Sequence, residues 1–105
     1  MHVYRIQPIN AELHAIQTTT SNDELAGGVH VFPTLEEVYG CREWCEEFLE
    51  GRELVTIECD KRDLKPNGDY EGVTLKAGRG EIVARREVGD AEEFIRWIEN
   101  TCWPK

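Results

Sequence analysis

Cys41 and Cys45 stand four residues apart, while Cys59 and Cys102 lie far from them and His2, His14 and His30 are scattered along the chain. A catalytic thiol needs a neighbouring base or cation, and a zinc knuckle needs close ligand pairs across a turn. Cys41 and Cys45 instead fall one turn apart on the apolar stripe of an expected helix, where a thiol behaves as a small buried hydrophobe. The sequence therefore predicts reduced structural thiols and no metal site, with metal or redox work, or a His30–thiol nucleophile pair, as the alternatives. No Gly-x-Ser-x-Gly elbow, Gly-x-x-x-x-Gly-Lys phosphate loop or His-Glu-x-x-His motif occurs in the chain.

The polar residues that remain are Arg5 in Val3-Tyr4-Arg5-Ile6, the hydroxyl-rich run Thr18-Thr19-Thr20-Ser21, and Glu81 in Gly80-Glu81-Ile82-Val83. In order and surroundings they resemble the ADP-ribosyltransferase fold in its Arg–Ser–Glu branch. The phrase Gly28-Val29-His30-Val31-Phe32-Pro33-Thr34-Leu35-Glu36-Glu37 also looks like the strand-then-helix phrase of small phage and bacterial members of that superfamily. The resemblance implies NAD as cofactor, Arg5 and Ser21 as its binding residues and Glu81 as the catalytic residue. Arg5 would hold the pyrophosphate by bidentate hydrogen bonds, and the hydroxyl-rich strand would shape the nicotinamide pocket. Glu81 would engage the nicotinamide ribose and stabilise oxocarbenium-like charge. Arg79 stands where the branch carries an acidic or amide residue two positions before the glutamate, and the chain is shorter than the family's usual catalytic domains. The plain alternative for Arg5 and Glu81 is a surface ion pair on neighbouring strands.

These residues need a scaffold, and the stretch from Gly27 to Leu49 organises it. Val29 to Phe32 reads as a short buried strand ended by Pro33, and Thr34 with Glu37 makes a capping-box pattern. Leu35, Val38, Cys41, Cys45, Phe48 and Leu49 then share one helical stripe opposite Glu36, Glu43, Glu47 and Glu50, and Gly51 stops the helix. Arg42 at the edge of that stripe reads as a snorkelling side chain, or as one reaching a carboxylate or anion. Residues 3–7, 14–20, 53–59, 73–77 and 81–88 read as further strands; in the third, Val55, Ile57 and Cys59 oppose Leu54, Thr56 and Glu58. Asp60 to Gly72 reads as a long polar excursion and Gly78-Arg79-Gly80 as a tight connection. Asp90 caps a last helix whose stripe is Ala91, Phe94, Ile95, Ile98 and Cys102, flanked by Trp97 and Trp103. The expected architecture is one α+β domain over residues 1–105, of order β-β-β-α-β-β-β-α. Two amphipathic helices would pack on a mixed, mainly antiparallel sheet.

A net charge of −9 on 105 residues argues against nucleic acid, which is bound through lysine and arginine. The charge is uneven: the acid gathers from Glu36 to Asp60, whereas Lys61, Arg62, Lys65, Lys76, Arg79, Arg85 and Arg86 follow. An acidic helix can meet a basic protein partner. No apolar run approaches membrane-spanning length and the N-terminus lacks signal-peptide features, so the cytoplasm is the expected compartment. The sequence thus favours a non-enzymatic interaction or accessory module, of phage or bacterial kind, on an ADP-ribosyltransferase-like scaffold. In that reading the acidic helix and an exposed patch near Tyr39, Trp44 or Trp103 form the docking surface. The alternative is an NAD-binding, ADP-ribosyl-transferring domain using Arg5, Ser21 and Glu81. An acidic mimic of nucleic acid ranks behind both.

Overall fold

Alternation along the first strand decides how the layers form. The computed structural model describes residues 1–13, 29–40, 49–66, 73–76 and 78–104. Within it β1 (His2–Pro8) pairs antiparallel with β3 (Arg52–Glu58), and β3 pairs antiparallel with β6 (Glu81–Glu87). Val3, Val55 and Ile57 point to one face of this sheet and are fully buried, while Ile6 and Leu54 point to the other. Because successive strand residues face opposite ways, one sheet serves two cores.

The first core is closed by a second antiparallel sheet of three short strands, β2 (Val29–Val31), β4 (Leu64–Pro66) and β5 (Val73–Leu75), with β5 in the middle. Val29, Val31 and Leu75 meet Val3, Val55, Ile57, Leu13 and Cys59 there. Tyr4 and Phe32 join the sheets by exchanging two backbone hydrogen bonds of 2.8 and 2.7 Å. The second core lies under the helices α1 (Leu35–Gly40) and α2 (Ala91–Cys102), where Phe94 and Ile98 pack with Val38, Leu49, Leu54 and Val88. Each side chain buried so completely stabilises the fold by about 1.5–3 kcal/mol. The described residues thus form an α+β arrangement in which the sheet β1-β3-β6 lies between the smaller sheet and the helices.

Both helix starts follow the capping chemistry of the sequence. The Thr34 hydroxyl accepts from the Glu37 N–H at 3.3 Å, and the Asp90 carboxylate accepts from the Glu92 N–H at 3.0 Å. Gly51, with φ of 70°, stands in the left-handed conformation expected of a helix stop. Residues 41–48, with Cys41, Cys45 and Arg42, fall outside the described residues, as does the strand expected over 14–20.

Three expectations are corrected. The strands make two sheets rather than one, and every pairing between the described strands is antiparallel. The stretch after Asp60 is not wholly irregular: a 3₁₀ turn (Lys61–Asp63) leads into β4. Gly78-Arg79-Gly80 is a tight connection as expected, and it carries the chain from one sheet to the other, since β5 and β6 pair in different sheets. In α2, Trp97, expected only to flank the stripe, packs on the second core beside Ala91 and Cys102. Trp97 is drawn in by stacking on Phe94, with centroids 5.9 Å apart, and by the Arg86 guanidinium 4.3 Å from its ring centroid.

Candidate functional site

The last turn of α2 carries Glu99 and Asn100, and Trp103 follows it. The Trp103 N–H closes the helix on the Glu99 carbonyl at 2.8 Å, and Pro104 follows. With Phe94 and Ile98 fixing the buried stripe, Arg96, Glu99, Asn100 and Trp103 are carried onto the flank beside α1. There Tyr39 donates its hydroxyl to a Glu99 carboxylate oxygen at 3.1 Å. The Tyr39 ring meets Trp103 edge-on, with centroids 5.1 Å apart and planes at 68°. Trp103 nevertheless remains 52% exposed. The five side chains enclose an open recess of about 360 Å³.

A second recess of about 310 Å³ opens between the start of α1 and the end of α2, with Tyr4, Leu35, Glu36 and Cys102 in its wall. Burial pushes the Cys102 thiol pKa up, and the adjacent, hydrogen-bonded Glu36 carboxylate pushes it further in the same direction. This thiol is held as a neutral group rather than a thiolate, which suits packing better than nucleophilic work.

Arg5 and Glu81, both singled out by the resemblance, do not converge. Arg5 lies opposite Val55, which lies opposite Arg85, so its side chain leaves the face turned to the smaller sheet. Its Nη1 donates to the His30 carbonyl at 2.7 Å, and its Nε is buried with no hydrogen-bond partner. Burial lowers the Arg5 pKa, and the nearby Arg52 charge lowers it further. Glu81 lies opposite Glu58, in the row of His2, on the face turned to the helices, and is exposed. Arg5 and Glu81 are thus separated by β3 and face opposite ways, which also excludes a pair on neighbouring strands. Ser21 and Thr18 to Thr20 lie outside the described residues, as do Glu43, Trp44 and Glu47 of the expected acidic face.

Sequence reasoning missed a buried polar cluster on the Arg5 face of the sheet. Glu53 is 2% exposed, pairs with Arg85 Nη1 and accepts the Asn10 N–H at 3.1 Å. Arg85 also donates to the Ala11 carbonyl at 3.2 Å, and Gln7 Nε2 donates to the same carbonyl at 2.7 Å. These bonds pin the turn after β1 to the sheet. Glutamate at a strand start carries no burial signal, so only the pairing register reveals it.

Among the described residues no three His, Cys, Asp or Glu side chains are grouped to hold a metal, and no helix is long and apolar enough to cross a membrane. No family model, curated protein or solved structure matches the chain.

Proposed function

We propose that this chain is a non-enzymatic interaction module that docks a protein partner at the junction of α1 and α2. The half-exposed Trp103 carries the reading. It is a large aromatic surface held in one orientation by Tyr39, whose hydroxyl is in turn fixed by Glu99. Tryptophan, tyrosine and arginine dominate binding energy in protein interfaces, and the two aromatic side chains offer much rigid area for little lost entropy. Arg96, Glu99 and Asn100 surround the aromatic pair as a polar rim. Glu36 and Glu37 are exposed on α1, so the partner segment would present an apolar side chain accompanied by a basic one. The ADP-ribosyltransferase-like scaffold belongs to this proposal.

The test is site-specific photo-crosslinking. A photoreactive phenylalanine analogue replaces Trp103 in one preparation and Lys65, an exposed residue of β4, in a second. A discrete partner band is expected from position 103 alone. Excess unlabelled native chain competes it away, and a Tyr39→Ala, Trp103→Ala chain does not. Equal competition by the double variant would sink the reading.

A further inference from the structure

Among the described strands β6 is an edge strand. β3 pairs with one side of it, and among the described residues nothing pairs with the other. The opposite edge of the same sheet, β1, is bridged by Phe32. Six of the seven β6 residues are exposed, and Val83 is 51% exposed. A long exposed edge offers unpaired N–H and C=O groups to another strand unless something blunts it.

We infer that β6 pairs antiparallel with β6 of a second copy of this chain, about a two-fold axis passing between Val83 and Ala84. The charge pattern of the strand is self-complementary in that register, since Glu81 lies opposite Arg86 of the second copy and the contact is repeated across the axis. In a regular strand, residues five apart face opposite ways and could not meet so. Here the register skips Val83, with Ala84 opposite Thr56 and Ile82 opposite Ile57. That bulge reverses the alternation, so Glu81 and Arg86 share the helix-side face. A shift of one residue either way sets Glu81 against Arg85 or Glu87, and both face the other side. Arg85 is also committed to Glu53 and the Ala11 carbonyl. Arg86 is positioned by the Trp97 ring beneath it, and among the described residues Glu81 has no ion-pair partner. The two three-stranded sheets become one six-stranded antiparallel sheet, with the exposed Val83 covered at the axis.

Sedimentation velocity of the full chain, from micromolar to near-millimolar concentration at low salt, tests this. A concentration-dependent dimer that weakens with added salt is expected. Glu81→Arg and Arg86→Glu, each confirmed folded by circular dichroism, should each raise the dimer Kd at least about tenfold. An equimolar mixture of the two variants should recover dimer, because each supplies the charge the other needs. A chain that stays monomeric throughout overturns the inference. So does a dimer insensitive to either reversal, or a mixture that fails to associate.

Discussion

The Glu53 carboxylate is buried against the Arg85 guanidinium, and the same Oε1 atom accepts the N–H of Asn10. This one oxygen ties β3 to both β6 and the turn after β1. Asn10 stands there at φ of 64°, a left-handed conformation that asparagine tolerates better than most residues. Removing the carboxylate leaves the Asn10 N–H and the guanidinium without it.

Glu53→Ala is therefore expected to destabilise the fold by about 2 kcal/mol, below the value for a fully buried pair because the Arg85 side chain is 37% exposed and water can replace part of the contact. Urea unfolding reads this as a lower midpoint at unchanged slope. A double-mutant cycle with Arg85→Met should show positive coupling; additive effects would mean the pair is incidental.

The separation of Arg5 from Glu81 makes a second expectation definite. A ligand bound at 100 times its Kd stabilises the native state by about 2.7 kcal/mol, so a real NAD site would register clearly in thermal unfolding. With the two side chains on opposite faces of β3 and the Arg5 guanidinium bonded to the His30 carbonyl, millimolar NAD should leave Tm unchanged. A rise of several degrees, abolished by Arg5→Lys, would restore the cofactor reading.

Gly80 and Gly78 both stand at positive φ, 85° and 76°, but in different surroundings. A Cβ on Gly80 would lie 2.7 Å from Leu75 Cδ2 and 3.0 Å from Ile57 Cγ2, whereas one on Gly78 would meet nothing within 4 Å. Gly78→Ala should cost about 1 kcal/mol from backbone strain alone. Gly80→Ala should cost about 2–4 kcal/mol, because it also overpacks the first core at the crossing between the sheets. Equal unfolding midpoints for the two variants would show that the crossing is loosely packed.

The sequence made the strand faces legible where a run was long enough to alternate. Val55, Ile57 and Cys59 enter one core and Leu54 the other, as their spacing predicts. The helix starts at Thr34 and Asp90 were equally readable, because capping is local chemistry. The second sheet was legible only in part. β2 and β5 fall where strands were expected, but β4, in which only Leu64 is even partly buried, read as loop, and strands of three residues are too short for a period that would assign them to a separate sheet. Nor does Gly78-Arg79-Gly80 reveal which sheet the next strand joins. The bulge mattered most: unbroken alternation would have put Glu81 on the face of Arg85 and Arg5, and the extra residue at Val83 turns it away. Of the proposed docking site, exposed aromatics near Tyr39 and Trp103 were expected, but the Tyr39–Glu99 bond that orders them spans 60 positions and leaves no local trace.

Cys59 offers a test through pH. Burial pushes its thiol pKa up; the Met1 ammonium opposes this, and Asp63, Glu58 and Asp60 reinforce it. In the unfolded chain the thiol ionises in its ordinary range near about 8.5, before the folded one does. Above that range the unfolded state therefore binds fewer protons than the native state, and stability falls as pH rises. Cys102, raised by its own burial and by Glu36, adds in the same direction. Unfolding midpoints should fall between pH 8 and pH 10 in the native chain and fall less in Cys59→Ala. Alkylation by iodoacetamide at pH 7.5, mapped by peptide mass spectrometry, should be far slower at Cys59 than in urea. Labelling at the same rate in both conditions would mean that the thiol is reached without unfolding, and the first core would not be closed over it.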